Sequence, residues 1–146
     1  GDMRPSLIIP RLRTECPIFV NRVAGSATYR QVSLQDDFPV PHAFVLPQGE
    51  SAEGEVMLSA LDQELTTRFA VVVAVANTSD ERGQAAAETF YDIRVQLLAA
   101  LVGWTPDASR FAPILYRGMP DDPDINRSRA WAQFDFEALA YTASAI

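Results

Sequence analysis

The spacing of apolar and polar positions changes several times along the chain, and each change marks an element. "RPSLIIPRLRTECP" puts Ile8, Leu12 and Cys16 on one helical stripe, with Pro17 as its stop. Pro10 suits only the first turn of a helix, so this helix is expected to begin near Ile9. "IFVNRVAG" reads as a strand ended by Gly25, and "SATYRQVSLQ" as a short helix with Ser26 as its N-cap. "HAFVLP" is a short strand fenced by Pro41 and Pro47, and the acidic, glycine-bearing "QGESAEGEV" after it reads as a mobile loop.

The clearest strand runs from about Gln63 to Ala76. Phe69, Val71, Val73 and Val75 share one face, and Ala70, Val72, Ala74 and Ala76 the other. Apolar residues on both faces specify a central strand covered on both sides. The small, alanine-rich face leaves room for a close helix, so the long helix that follows is expected there.

That helix is predicted over about Asp80 to Val102, with Ser79 as N-cap, Asp80 and Glu81 near its positive end, and Gly103 as its stop. Ala86, Phe90, Ile93, Leu97 and Leu101 form one apolar stripe, and Ala87, Tyr91, Val95, Leu98 and Val102 a second, with Arg94 between them. Together they cover roughly 200° of the helix, wider than one core contact needs. The surplus face, with Tyr91, Val95, Leu98 and Val102, needs a partner: a chain terminus or another subunit.

"APILYRG" and "SRAWAQFDFEALAY" read as two more strands, and the turn-rich "GMPDDPDINR" between them predicts antiparallel pairing. In the last strand Ala130, Ala132, Phe134 and Phe136 alternate with Trp131, Gln133, Asp135 and Glu137. The expected fold class is α+β: a largely antiparallel sheet with one long helix and one or two shorter helices packed on it. The 146 residues fit a single domain, with residues 1–3 compatible with an expression scar and a start at Met3.

Charge narrows the function. Nineteen acids oppose twelve bases, every base is arginine, and the net charge is -7. The arginines are scattered from Arg4 to Arg129 with no basic run, which argues against a surface that grips nucleic acid phosphates. The longest apolar run, Phe69 to Ala76, falls far short of the roughly 20 residues of a membrane helix, so no membrane partner is expected. No basic and apolar leader opens the chain. A single cysteine, Cys16, supports neither an intramolecular disulfide nor a thiolate zinc site and fits a reducing cytoplasm.

Little remains for chemistry. The strand-to-helix turn "ANTSDERG" has the position of a phosphate-binding loop but offers Asp80 and Glu81 where glycines would be needed. His42 is the only histidine, and a Cys16–His42 dyad has no third group marked out to orient it. "DPDIN" sets Asp122, Asp124 and Asn126 at calcium-loop spacing. The loop's glycine position holds Arg127, however, and its bidentate glutamate position holds Gln133. No catalytic residue, cofactor or metal is assigned.

The stretch "LLAALVGWTPDASRFAPILYRGMPDDPDINRSRAWAQFDF" resembles the tail terminator proteins of long-tailed phages and prophages. Its most specific residues are Leu101, Gly103, Trp104 and Pro106, followed by Tyr116, Gly118, Trp131 and Phe134. The earlier elements agree in order, so the resemblance spans about residues 4 to 138. Gly103, Trp104, Pro106 and Trp131 read as fold-building: a helix stop, two residues covering the helix end, and an indole packing from the hairpin. The resemblance implies a structural protein without catalysis. It would form a homohexameric ring that caps the tail tube, ends its polymerisation and meets the head-side connector, assembling in the host cytoplasm and ending in the virion tail. The acidic loop from Gln48 to Val56, with Glu50, Glu53 and Glu55, resembles the family's variable loop that orders against neighbours or tube subunits. Two alternatives stay open: another head–tail completion or tail tube protein of related fold, and a small cytosolic hydrolase using Cys16 or a carboxylate pair.

Overall fold

A computed structural model describes residues 4–35, 38–56, 60–76, 84–126 and 129–145. The fold is α+β. Helix α1 (Pro5–Glu15) leads through a 3-10 turn (Pro17–Phe19) to β1 (Val23–Ala24) and helix α2 (Ser26–Val32). Two long strands follow, β2 (His42–Val56) and β3 (Ala60–Ala76), and then the long helix α3 (Gln84–Leu101). Strands β4 (Leu115–Gly118), β5 (Asp124–Asn126) and β6 (Arg129–Ala145) close the chain. The six strands form one sheet in the order β1-β2-β3-β6-β4, with β5 also on β6. Every pairing is antiparallel except β1 with β2.

Strand β3 is central, as its two apolar faces require. One face, with Phe69, Val71, Val73 and Val75, enters the main core with Ile8 and Leu12 of α1, Phe90, Ile93 and Leu97 of α3, and Phe134 and Phe136 of β6. Phe69 and Phe136 stack across the β3–β6 pair, with ring centroids 5.5 Å apart. The other face, with Ala70, Val72 and Ala74, joins Phe38 and Phe44 in a second cluster, against which Tyr29, Val32 and Trp131 pack.

The long helix therefore lies on the valine and phenylalanine face, and the expectation that it packs on the alanine-rich face is corrected. The small side chains make room for rings instead. Tyr29 meets Phe44 at 5.4 Å and Trp131 at 6.0 Å, and Phe38 lies 5.6 Å from Trp131. Alanine on the strand leaves the depth that an aromatic layer fills, whereas α3 supplies enough bulk of its own to interdigitate with valines.

Four local expectations are also corrected. Helix α1 starts at Pro5, not near Ile9, and holds Pro10 inside it. Pro5 takes the first-turn position that costs no hydrogen bond. "IFVNRVAG" is a strand only at Val23–Ala24, because Val20 and Asn21 adopt left-handed backbone that turns the chain. Ser26 is the first residue of α2 and Gly25 holds the cap position, with no side-chain cap bond. The segment read as a mobile loop, Gln48 to Val56, is the second half of β2, paired with β3 from Gly49↔Arg68 to Val56↔Leu61.

That last correction changes the shape of the molecule. Glycine and glutamate are poor strand formers, but pairing with β3 overrides local preference. The register shifts between Pro47 and Gly49, and Gly49 takes φ +105, a conformation that favours glycine. On the far side of β3, β6 pairs from Ala76↔Arg129 to Ala60↔Ala145. The result is a three-stranded antiparallel extension of the sheet made from β2, β3 and β6. At its root Phe111 bridges to Ala140, and the Ala112 N–H donates to the Leu139 carbonyl at 2.8 Å.

The aromatic layer generates a testable consequence. Ala74 is fully buried beneath it. Ala74→Leu should overpack the cluster and destabilise the fold by about 1–3 kcal/mol. Denaturant unfolding followed by circular dichroism checks this; a variant as stable as the parent would show that the rings leave slack over the strand.

Candidate interaction surface

The described part of α3 presents its first stripe inward: Ala86, Phe90, Ile93, Leu97 and Leu101 are all buried. The second stripe divides. Tyr91 and Val95 are each 62% exposed and Val102 is 43% exposed, whereas Leu98 is half-buried against the main core. Leu98 is therefore better read as a margin of the core than as part of the free face. The last strand does not cover this face through its backbone, because residues 141–145 are paired alongside β3. Arg94 lies beside the stripe with its guanidinium carbon 5.5 Å from the centroid of the Tyr91 ring.

The end of α3 is built by the residues with the most specific family resemblance. Gly103 takes φ +81, the left-handed conformation of a helix stop, and its N–H donates to the Ile114 carbonyl at 3.0 Å. The Ile114 N–H donates in turn to the Trp104 carbonyl at 3.0 Å, which clasps the helix end to the segment before β4. Trp104 packs against the main core, and the Arg11 guanidinium sits 4.9 Å over its ring. The Arg11 Nε also donates to the Ala100 carbonyl at 2.9 Å, a cation at the negative end of α3. Pro106 is half-buried in the following loop. Trp131 packs elsewhere, on the opposite sheet face from α3, because it alternates with the inward-facing Ala130 and Ala132.

Glu50 is exposed on β2. Glu53 and Glu55 are placed in the same strand by backbone pairing, with their side chains outside the described residues. A carboxylate-bearing strand thus stands where a loop was expected. Sequence reasoning missed it because no apolar alternation marks it; the only available signal was the length of the facing strand.

The candidate chemistry does not converge. Cys16 is buried in the main core, with its Sγ 3.7 Å from the Gln96 carbonyl, and burial pushes its thiol up to about 11. His42 stacks on Phe44 at 4.4 Å, and Phe44 belongs to the other cluster, so the sheet separates the two residues of the supposed dyad. Burial lowers the His42 pKa from its ordinary value. Asp124–Asn126 of the "DPDIN" segment form β5 against β6, and Asp122 is exposed in the preceding turn. Among the described residues no three His, Cys, Asp or Glu side chains gather as a metal site. The strand-to-helix connection at 77–83, which carries Ser79, Asp80 and Glu81, lies outside the described residues. No helix among the described residues is long and apolar enough to cross a membrane.

Comparison with solved structures finds the same fold in a chain of the virion of a native gene transfer agent particle. The TM-score is 0.51 at 14% sequence identity, with 92% of each chain covered. Comparison with curated proteins returned no match. The profile of the phage tail terminator protein family matches residues 2–142, almost the whole sequence. The chain belongs to the phage tail terminator family and is a structural protein of phage tails.

Proposed function

We propose that the protein ends tail-tube growth by forming a homohexameric ring on the finished tube, and that the ring offers the joining surface to the head-side connector. The observation that carries this reading is the exposed apolar face of α3, with Tyr91, Val95 and Val102. A large aliphatic side chain that passes from water into a contact gains roughly 1.5–3 kcal/mol. A ring makes that gain at every subunit boundary, and closure stops open-ended growth. Assembly takes place in the host cytoplasm, and the ring stays in the virion tail.

The net charge of -7 suits a ring around a channel for DNA, since an acidic wall repels phosphates instead of holding them. The protein works without catalysis or a cofactor. The acidic strand β2, with Glu50, Glu53 and Glu55, faces neighbours or tube subunits. A completion protein or a tube subunit of related fold remains the second reading, and it differs in assembly: a tube subunit stacks into long cylinders.

Two measurements test the proposal. Native mass and negative-stain images, alone and with tube protein added, should give a closed hexamer; cylinders of indefinite length would favour the tube reading, and a monomer in both conditions would end the ring reading. Val95→Asp should abolish the ring while leaving a folded subunit, since Val95 is exposed. Leu98→Asp should instead destabilise the subunit itself, since Leu98 packs on the core. In the second measurement, a duplex DNA fragment should not be retained by low-micromolar protein at near-physiological salt, because no basic run is present to release counterions. Clear retention would refute the repelling channel.

A further inference from the structure

Residues 38–41 enter the sheet under a clamp of two guanidinium groups. The Arg22 Nε donates to the Pro41 carbonyl at 2.8 Å, and the Arg129 Nη2 donates to the Phe38 carbonyl at 2.7 Å. Arg129 also lies over the Phe38 ring, 5.2 Å from its centroid. The chain's one histidine, His42, follows directly and opens β2. It stands opposite Ala74 in the β2–β3 ladder, on the face that carries the aromatic layer. Its ring stacks on Phe44 at 4.4 Å with 2° between the planes, and the Phe38 ring meets it edge-on at 6.2 Å. The imidazole thus acts as one more plate of that layer, directly beside the clamped segment.

We infer that His42 is an acid-sensitive latch on this layer: a proton on the imidazole opens the clamp at 38–41 and lets Phe38 lift away from Phe44 and Trp131. The surroundings give an added charge poor company. The His42 Nδ1 is buried with no hydrogen-bond partner among the described residues, and a buried cation without an acceptor is costly. Arg22 and Arg129 already hold the segment with positive charge from two sides. Burial lowers the His42 pKa most, the Pro39 backbone opposes that, and the charge of Arg22 lowers it further. Asp36 and Asp37, just before the clamped segment, lie outside the described residues.

At neutral pH the ring is uncharged and packs as an apolar plate. An imidazole released to water takes its proton at about pH 6.5, above the value of the latched ring, so acid favours the open state. The stability that the latch adds is therefore complete above about pH 6.5 and is lost as the pH falls towards the lower pKa of the latched ring. Phe38 is buried in the closed layer, 5.6 Å from Trp131 and 6.5 Å from Phe44. Its departure uncovers an aromatic patch that is closed at neutral pH. The latch belongs to a single subunit and needs no assembly.

Acrylamide quenching of tryptophan fluorescence over about pH 8 to 5, beside an NMR titration of the His42 ring protons, tests the latch. Trp104 packs in the main core of parent and variant alike, so the difference between them reports Trp131. In the parent, quenching should rise about twofold, with the midpoint of the His42 titration and below 6.5. His42→Phe keeps a ring on Phe44 but takes no proton, and should show no rise. His42→Gln serves if that variant fails to fold. An equal rise in the variant would assign the acid response to carboxylates and overturn the inference. So would a parent whose quenching stays flat while His42 titrates, or whose His42 takes no proton until the whole protein unfolds.

Discussion

The arrangement of the molecule depends on one constraint: β3 is apolar on both faces, so it is stable only with a layer on each side and a strand along each edge. Its valines and Phe69 draw α1 and α3 to one face, and its alanines admit the layer of Tyr29, Phe38, Phe44 and Trp131 on the other. Strands β2 and β6 satisfy its backbone along both edges. Because one stripe of α3 covers this strand, Tyr91, Val95 and Val102 of the second are left outside, while Leu98 packs at the core margin. The exposed face is thus a by-product of the geometry that buries the strand, and the family's assembly role can use a surface that the fold already provides.

The arginines serve the same frame. Arg11 reaches the end of α3, Arg13 donates to the Val23 carbonyl at 2.8 Å, Arg22 to the Pro41 carbonyl at 2.8 Å, and Arg129 to the Phe38 carbonyl at 2.7 Å. Carbonyls at helix ends and in loops beside a core need donors, and a rigid guanidinium supplies them across a gap that a backbone group cannot bridge. Several of the scarce cations are in this way committed inside the fold, which leaves the acids to dominate the outer surface. Arg94 differs from these: among the described residues its buried Nε meets no hydrogen-bond acceptor.

Much of the fold was legible wherever an apolar period was strong. The two-faced alternation of residues 69–76 identified the central strand, and the spacing from Ala86 to Leu101 identified the buried stripe of α3. Gly103 was readable as a helix stop because its left-handed backbone has few other occupants. The failures fall where long-range pairing overrides local preference. Nothing in "QGESAEGEV" favours a strand; its state is decided by Leu61–Arg68 across from it. The side of the sheet taken by α3 was misjudged because small residues were read as room for a helix when they were room for rings. The candidate surface was half legible: periodicity found the second stripe, but only the packing separated Leu98 from Tyr91, Val95 and Val102. The cleft between α3 and the turn at 119–123, lined by Arg94, Asp121 and Asp122 among others, was beyond sequence reasoning, since it needs that turn to come against α3.

The long pairing of β3 with β6 also sets an order of events during synthesis. Strand β2 meets β3 as a hairpin soon after both are made, but the other edge of β3 stays open until the last strand appears, with Ala60 finally paired to Ala145. Contacts between residues so distant in sequence form slowly, because a long loop must close before they can repay its entropy. While the nascent chain is incomplete, its most apolar strand carries an unpaired edge, the kind of edge that invites the wrong partner. The protein thus gains both neighbours of its central strand only once β6 has been made.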